Sequence, residues 1–337
     1  MKPTAAETAA LFALIAQNAA EIETVIRADL AETLRGCDPL LAEVLRYALL
    51  SGGKRLRPLL TVLCSRLCGK GEVQTLGQIA AAFEYLHTAT LIHDDVLDHA
   101  DSRRGQESVV NRYGLPAAIL TGDWLHARSM RLIGSLAGPQ ALEIFSEAAA
   151  GMADGEFLQM RRVANPAVTE AQYFDIVDKK TAGLIRAACA VGALHGQGSS
   201  HHVAALAMYG EKIGRAFQIA DDLLDYLGDE QTTGKKTCND LLEGKMTLPL
   251  IHALSRAGRQ EHDQLFLIVQ EGRSLSASCS YVRQLMERLG SFAYCRQLAE
   301  EEMTAGLAAL ACFDQDWQRD GVTVLRSLAG YVLSRDR

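Results

Sequence analysis

The chain has 337 residues, of which 48% are hydrophobic, 22% charged and 6% aromatic, with a formal net charge of −7 and a pI near 5.8. Such a composition can bury a large core, which excludes disordered and low-complexity readings. The acidic balance excludes a basic footprint for nucleic acid.

From the N-terminus, apolar positions recur at intervals of three and four, as in Leu11, Leu14, Ile15 and then Ile22, Val25, Ile26, Leu30. That is the period of an amphipathic helix. An acidic residue precedes any signal-like apolar core, and no uncharged apolar run reaches the roughly 18 residues of a transmembrane helix. Breaks are expected near Gly36–Pro39, Gly69–Gly71, Gly114–Pro116, Gly138–Pro139, Asn165–Pro166, Gly196–Ser200, Gly228–Gly234 and Gly272–Ser276. Between them lie long proline-free stretches rich in Ala, Leu, Glu and Arg, and no run alternates with β-branched enrichment. The pattern predicts about ten helices and no substantial strand, an all-α fold. None of the breaks is a long linker, so residues 1–337 are expected to form one domain. Cys37, Cys64, Cys68, Cys189, Cys238, Cys279, Cys295 and Cys312 form no Cys-x-x-Cys pair and are expected to be free thiols of a cytoplasmic protein.

Two segments echo each other. Leu91–Asp98 reads LIHDDVLD and Ile219–Asp225 reads IADDLLD, the same Asp-Asp-x-x-Asp pattern inside apolar sequence. On a helix Asp94 and Asp98 project together, as do Asp221 and Asp225, with Asp95 and Asp222 beside them. A solvated acidic face would explain one such run. The flanks argue otherwise: Phe83, Leu86, Leu91, Ile92, Val96 and Leu97 surround the first, and Phe217, Ile219, Leu223 and Leu224 the second. Carboxylates on buried helices need counter-charge, and a hard divalent cation with oxygen ligands fits. Mg²⁺ in particular shares its shell between carboxylates and substrate phosphates. An EF-hand is excluded, because neither run has the loop glycine or the closing glutamate.

Cations follow close by. Gly52–Pro58 (GGKRLRP) places Lys54, Arg55 and Arg57 at a glycine-opened helix start, a good anion site. Arg103 and Arg104 follow the first acidic run, Lys180-Thr181 and Lys235 come at later breaks, and Asp240–Leu250 closes the set. Each alone reads as surface charge; together they read as a site for anionic ligands.

Taken in order, these motifs resemble the trans-polyprenyl diphosphate synthases, which are head-to-tail prenyltransferases. The matching elements are GGKRLRP (52–58), EYLHTATLIHDDVLDHADSRRG (84–105), GEFLQ (155–159), KTAGLI (180–185), FQIADDLLDY (217–226) and DLLEGKMTLPLI (240–251), within a core of about 40–255. The resemblance implies a single large helical bundle of the isoprenoid synthase type with a central substrate cavity. It departs at 234–241, which reads GKKTCNDL where the family usually has Gly-Lys-Pro-x-Gly-x-Asp-Leu; this puts the loop's conformation in doubt.

The resemblance further implies that Mg²⁺ between the aspartate runs binds an allylic diphosphate, with Asp94, Asp98 and Asp221 as direct ligands. Asp95, Asp222 and Asp225 would be further ligands or lie behind them. Arg103, Lys180 and Lys235 would touch the same diphosphate, and Thr181 and Gln218 would turn neutral dipoles toward the allylic cation. Isopentenyl diphosphate would be held without metal by Lys54, Arg55, Arg57, His87 and Arg104. His93, beside Asp94, is a candidate base but reads better as a packed helix residue. Substrate tails would run along Thr90, Ala89, Leu86, Tyr85 and Ala82. Ala89 and Thr90 are small where short-chain enzymes carry an aromatic ring, so a medium-to-long, octaprenyl-like product of roughly C30 to C50 is expected. Tyr85 is either a floor or a side chain that tilts aside. A short-chain (farnesyl or geranylgeranyl) synthase and a non-catalytic partner subunit are the alternatives. A homodimer is expected, with no transmembrane segment and peripheral membrane contact for product release.

Overall fold

Helix-forming sequence fills the chain between its glycine and proline breaks, and the computed structural model describes residues 5–69, 73–228, 237–272 and 276–333. The first half runs α1 (Ala5–Thr33), α2 (Pro39–Leu49), α3 (Leu56–Cys68), α4 (Val73–Leu97), α5 (Val109–Tyr113), α6 (Leu115–Leu136) and α7 (Pro139–Met160). Next come α8 (Glu170–Val177), a π-helical turn (Asp178–Ala182), α9 (Gly183–His195) and α10 (Ser200–Leu227). The remainder is α11 (Asn239–Glu243), α12 (Leu248–Arg256), α13 (Arg259–Leu267), α14 (Ser276–Arg288), α15 (Ser291–Ala309) and α16 (Arg319–Leu333). Among the described residues the sheet is one antiparallel hairpin, β1 (Ser102–Arg103) with β2 (Gln106–Glu107).

The expected breaks fall where proline and glycine place them. Asp38 caps α2 through its carboxylate, and Pro39, Pro116 and Pro139 each occupy a first turn, where a missing N–H costs nothing. The helices outnumber the ten expected because the chain also breaks at Gly52–Gly53, at Gly244 before Pro249, at Gly258 and at Gly290.

Two apolar clusters meet on α9. Ile185, Cys189 and Ala193 face one, with Leu206, Tyr209 and Ile213 of α10 and much of α12 to α16. Leu184, Ala187, Ala188 and Val191 face the other, with Ile79, Ala82, Phe83 and Leu86 of α4 and Leu125 and Ile133 of α6. A helix apolar on opposite sides is a central one. It crosses α3 so closely that a Cβ at Gly192 would overlap the Thr61 carbonyl oxygen.

Helix α1 is long and apolar enough over Ala9–Thr33, by length and composition alone, to cross a membrane. Its stripe of Leu11, Ile15, Ile22, Ile26 and Leu30 is instead used in the two clusters. It also carries Asp29, which is 5% exposed, accepts a hydrogen bond from the Tyr85 hydroxyl at 2.8 Å and pairs with the Arg128 guanidinium of α6. Removing one partner of a buried pair leaves an uncompensated charge. Arg128→Leu should therefore cost about 3–5 kcal/mol, whereas Arg27→Ala, in an exposed pair on the same helix, should cost under about 1 kcal/mol. Urea unfolding followed by circular dichroism measures both, and equal losses would contradict this account.

Candidate active site

Asp94, Asp95 and Asp98 end α4, and Asp221, Asp222 and Asp225 end α10. Burial pushes the Asp94 carboxyl up to about 6; Lys180 opposes this, while Glu156 and Asp98 add to it. Burial likewise raises Asp222 to about 7, against hydrogen bonds from the Tyr173 hydroxyl at 2.6 Å and the Gln218 amide at 2.9 Å. Asp225 is raised by burial, and its carboxylate accepts the backbone N–H groups of Asn239 and Asp240 at 3.0 and 3.1 Å. It therefore caps α11 as well as belonging to the acidic set.

Lysines tie the two ends together. Lys180, in the π-helical turn, pairs with Glu156 of α7, acts on Asp94, and lines an open cavity of about 740 Å³ with Asp221, Asp222 and Gln218. Lys245 lines the same cavity, 3.8 Å from Asp240 and paired with Glu243. Burial disfavours its charge, yet Asp240, Glu243 and Asp98 push the ammonium upward. One cavity thus lies between cations that answer to both aspartate runs. The Thr181 hydroxyl donates to the Gln218 side-chain oxygen at 2.9 Å, which places both neutral groups on its wall.

Among the described residues, no three His, Cys, Asp or Glu side chains converge closely enough to hold a metal ion unaided. The donor chemistry nevertheless fits a hard divalent cation. Asp221 lines the open cavity, Asp94 and Asp98 answer to Lys180 and Lys245 on its wall, and a bound cation would offset the burial that raises Asp94. The remaining coordination positions would fall to water or phosphate oxygens.

A second, basic site flanks the first. Arg55 takes a left-handed conformation at the start of α3, and its guanidinium is occupied by Glu84 and the Leu49 carbonyl, all buried. Arg57 is buried with no partner for its Nε among the described residues, and burial lowers it to about 10, with Glu84 opposing and Arg104 adding. Burial also holds His87 well below the usual imidazole range, helped by Arg57, Arg104, Arg103 and Arg55. Arg104 donates to the Gly52 carbonyl at 2.6 Å and lies across Gly53, where a Cβ would come within 2.9 Å of it. Lys54 donates to the Tyr331 hydroxyl. The unpartnered Arg57 Nε among clustered guanidinium groups fits an anion.

Several expected residues sit differently from their assigned roles. Arg103 and Asp95, assigned to ligand and metal, bond to each other at 2.6 Å. Lys235 lies outside the described residues. Ala82, Tyr85, Leu86 and Ala89 are buried, Thr90 is half-buried, and Tyr85 is fastened by Asp29 rather than free to tilt. Below them Phe83 meets Phe145 of α7 edge-on, with centroids 5.0 Å apart. His93 packs on Gly122 with its Nε2 3.3 Å from the Ile119 carbonyl, a packed residue as read.

Lys245 and Gln159 stand in matching motifs without an assigned role, and Arg162 and Tyr173 of the cavity wall carry no signal beyond residue type. The thiol expectation needs correction: Cys238 and Cys279 are joined in a disulfide, while Cys37, Cys64, Cys68, Cys189, Cys295 and Cys312 are free. The bonded pair lies 41 residues apart in sequence, so no local spacing announces it. Cys238 also holds φ +63°, the left-handed conformation expected of the glycine it replaces.

The family model described as polyprenyl synthetase matches residues 38–286. Octaprenyl diphosphate synthase of Escherichia coli (strain K12) is 36% identical over 314 residues, covering 93% of this chain and 95% of that protein. A decaprenyl diphosphate synthase from Rhodobacter capsulatus superposes with a TM-score of 0.87 at 35% identity, covering 98% and 99% of the two chains. A polyprenyl synthase from Caulobacter crescentus CB15, solved in complex with calcium and isoprenyl diphosphate, gives 0.87 at 34% identity over 97% and 98%.

Glu84 is the negative charge that the basic site is built around. Glu84→Gln leaves Arg55 buried without its counter-charge and should cost about 3–5 kcal/mol. Inorganic diphosphate should then raise the melting temperature of the variant more than that of the wild type. A variant as stable as wild type in diphosphate-free thermal unfolding would refute this role.

Proposed function

The chain belongs to the polyprenyl synthetase family and is a prenyltransferase; from that premise we propose that it condenses isopentenyl diphosphate with an allylic diphosphate into a medium-to-long all-trans polyprenyl diphosphate. The observation that carries this reading is the single cavity where Lys180 and Lys245 lie between two carboxylate-bearing helix ends, beside a separate cluster of arginines. Two anionic substrates need two such sites.

The family binds diphosphate through a divalent metal. Here Asp94, Asp98 and Asp221 would hold Mg²⁺, with Asp222 and Asp225 behind, and bound Mg²⁺ would neutralise a departing diphosphate. The chain's own groups do the rest. Lys180 and Lys245 offer fixed positive charge where the leaving pyrophosphate develops its own negative charge. Gln218, oriented by Thr181 and Asp222, sets a neutral dipole on the wall beside the nascent allylic cation. Apolar walls exclude the water that would otherwise trap that cation. Arg57, Arg104, Lys54 and His87 hold isopentenyl diphosphate so that its double bond attacks, and the released proton goes to the pyrophosphate.

Both carboxylate clusters are intact, which supports an active enzyme over a non-catalytic partner subunit. The small Ala89 and Thr90 support the longer product over a farnesyl or geranylgeranyl one. The same reading places the enzyme in the cytoplasm as a homodimer that releases product at a membrane surface. Exposed Leu115, Ile119 and Leu120 of α6 are a face that a second copy would cover.

Purified protein incubated with farnesyl diphosphate, labelled isopentenyl diphosphate and Mg²⁺ should yield a ladder ending at medium-to-long chains, resolved by chromatography. Asp94→Ala or Asp221→Ala should lower turnover about a hundredfold or more while helical content persists; wild-type turnover in either at limiting Mg²⁺ would overturn the assignment.

Ala89→Tyr places a ring in a packed wall and should stop elongation near about C15 to C20 while the first condensation continues. An unchanged ladder in an active Ala89→Tyr enzyme would show that the tail runs elsewhere.

A further inference from the structure

Lys54 is held differently from the arginines around it. It belongs to the short connection between α2 and α3, where Gly52 and Gly53 both take positive φ and no helix fixes the backbone. A lysine there has a long, freely rotating stem and three N–H donors to direct. The far end of the chain supplies the constraint. Helix α16 brings Tyr331, 8% exposed, to this site, and the Lys54 ammonium donates to its hydroxyl. The same ammonium stands 5.0 Å from the centroid of the Tyr331 ring, nearly in line with the C–O bond. That ring is braced in turn by Phe12 of α1, whose ring meets it edge-on with centroids 5.2 Å apart. With one N–H taken by the braced hydroxyl, the ammonium is held in place and two N–H groups remain for a ligand.

We propose that Tyr331 is a positioning residue for isopentenyl diphosphate, aiming the Lys54 ammonium at the diphosphate through its hydroxyl. The inference rests on the reading that Lys54 belongs to the isopentenyl diphosphate site. Through Phe12 and Tyr331, α1 and α16 together set the affinity for this substrate.

Four full-length proteins test this: wild type, Lys54→Ala, Tyr331→Phe and the double variant, each measured for kcat and for both substrates' KM values. Tyr331→Phe keeps the ring and removes the hydroxyl. It should raise KM for isopentenyl diphosphate about five- to tenfold, the value of one ordinary hydrogen bond, with a smaller effect on kcat and on the allylic KM. Lys54→Ala should raise the same KM, and the double variant should be no worse than Lys54→Ala alone, because Tyr331 acts through the lysine. If Lys54→Ala raises KM but Tyr331→Phe does not, or if the two effects multiply, the positioning role is overturned while the site reading stands. If Lys54→Ala leaves KM for isopentenyl diphosphate unchanged, the site reading itself fails and the proposal falls with it.

Discussion

Lys180 reaches Glu156 while acting on Asp94, and Lys245 reaches Asp240 and Glu243 while acting on Asp98. These two ammonium groups are what permits carboxylates to face one another across a cavity where water is scarce. Burial still pushes Asp94 and Asp222 up toward neutral pH, against Lys180 at the first and the hydrogen bonds of Tyr173 and Gln218 at the second. The basic site has the opposite balance: Glu84 faces Arg55, Arg57 and Arg104, while Asp95 takes the guanidinium of Arg103. A protein that leaves acid unsatisfied on one side and base unsatisfied on the other is arranged for metal and diphosphate together. Each would be poorly held without the other.

The scaffold that tolerates this imbalance is apolar elsewhere. Helix α9 touches both hydrophobic clusters, and its small residues let α3 lie close enough to bring the basic segment beside α4. Charged groups inside the framework, such as Asp29 with Arg128 and Tyr85, are paired among themselves.

Much of this was legible before any coordinates. The period of α1, the proline and glycine breaks, and the repeated Asp-Asp-x-x-Asp pattern are local properties, and local properties survive folding. The helix ends carrying Asp94 and Asp221 were found because the spacing itself places carboxylates on one face. What escaped were pairings between distant segments. Nothing near Cys238 points to Cys279, nothing near Arg103 says that Asp95 will take its guanidinium, and Tyr173 reaches Asp222 from a helix without any motif. The break before α14 falls at the expected Gly272–Ser276, whereas Gly244, Gly258 and Gly290 each end or begin a helix that a lone glycine does not announce.

The π-helical turn between α8 and α9 accommodates one residue more than an α-helical turn would. It is thus the imprint of a one-residue insertion that the rod absorbed in place. The segments on either side cannot both keep their neighbours if that residue is lost, since everything beyond it would rotate by about 100°. Chain length in this stretch is therefore locked to within a single residue, although substitutions along α8 remain open. Among divergent descendants of this sequence, gaps and insertions should collect in the loops and avoid the segment from Asp178 to Ala182.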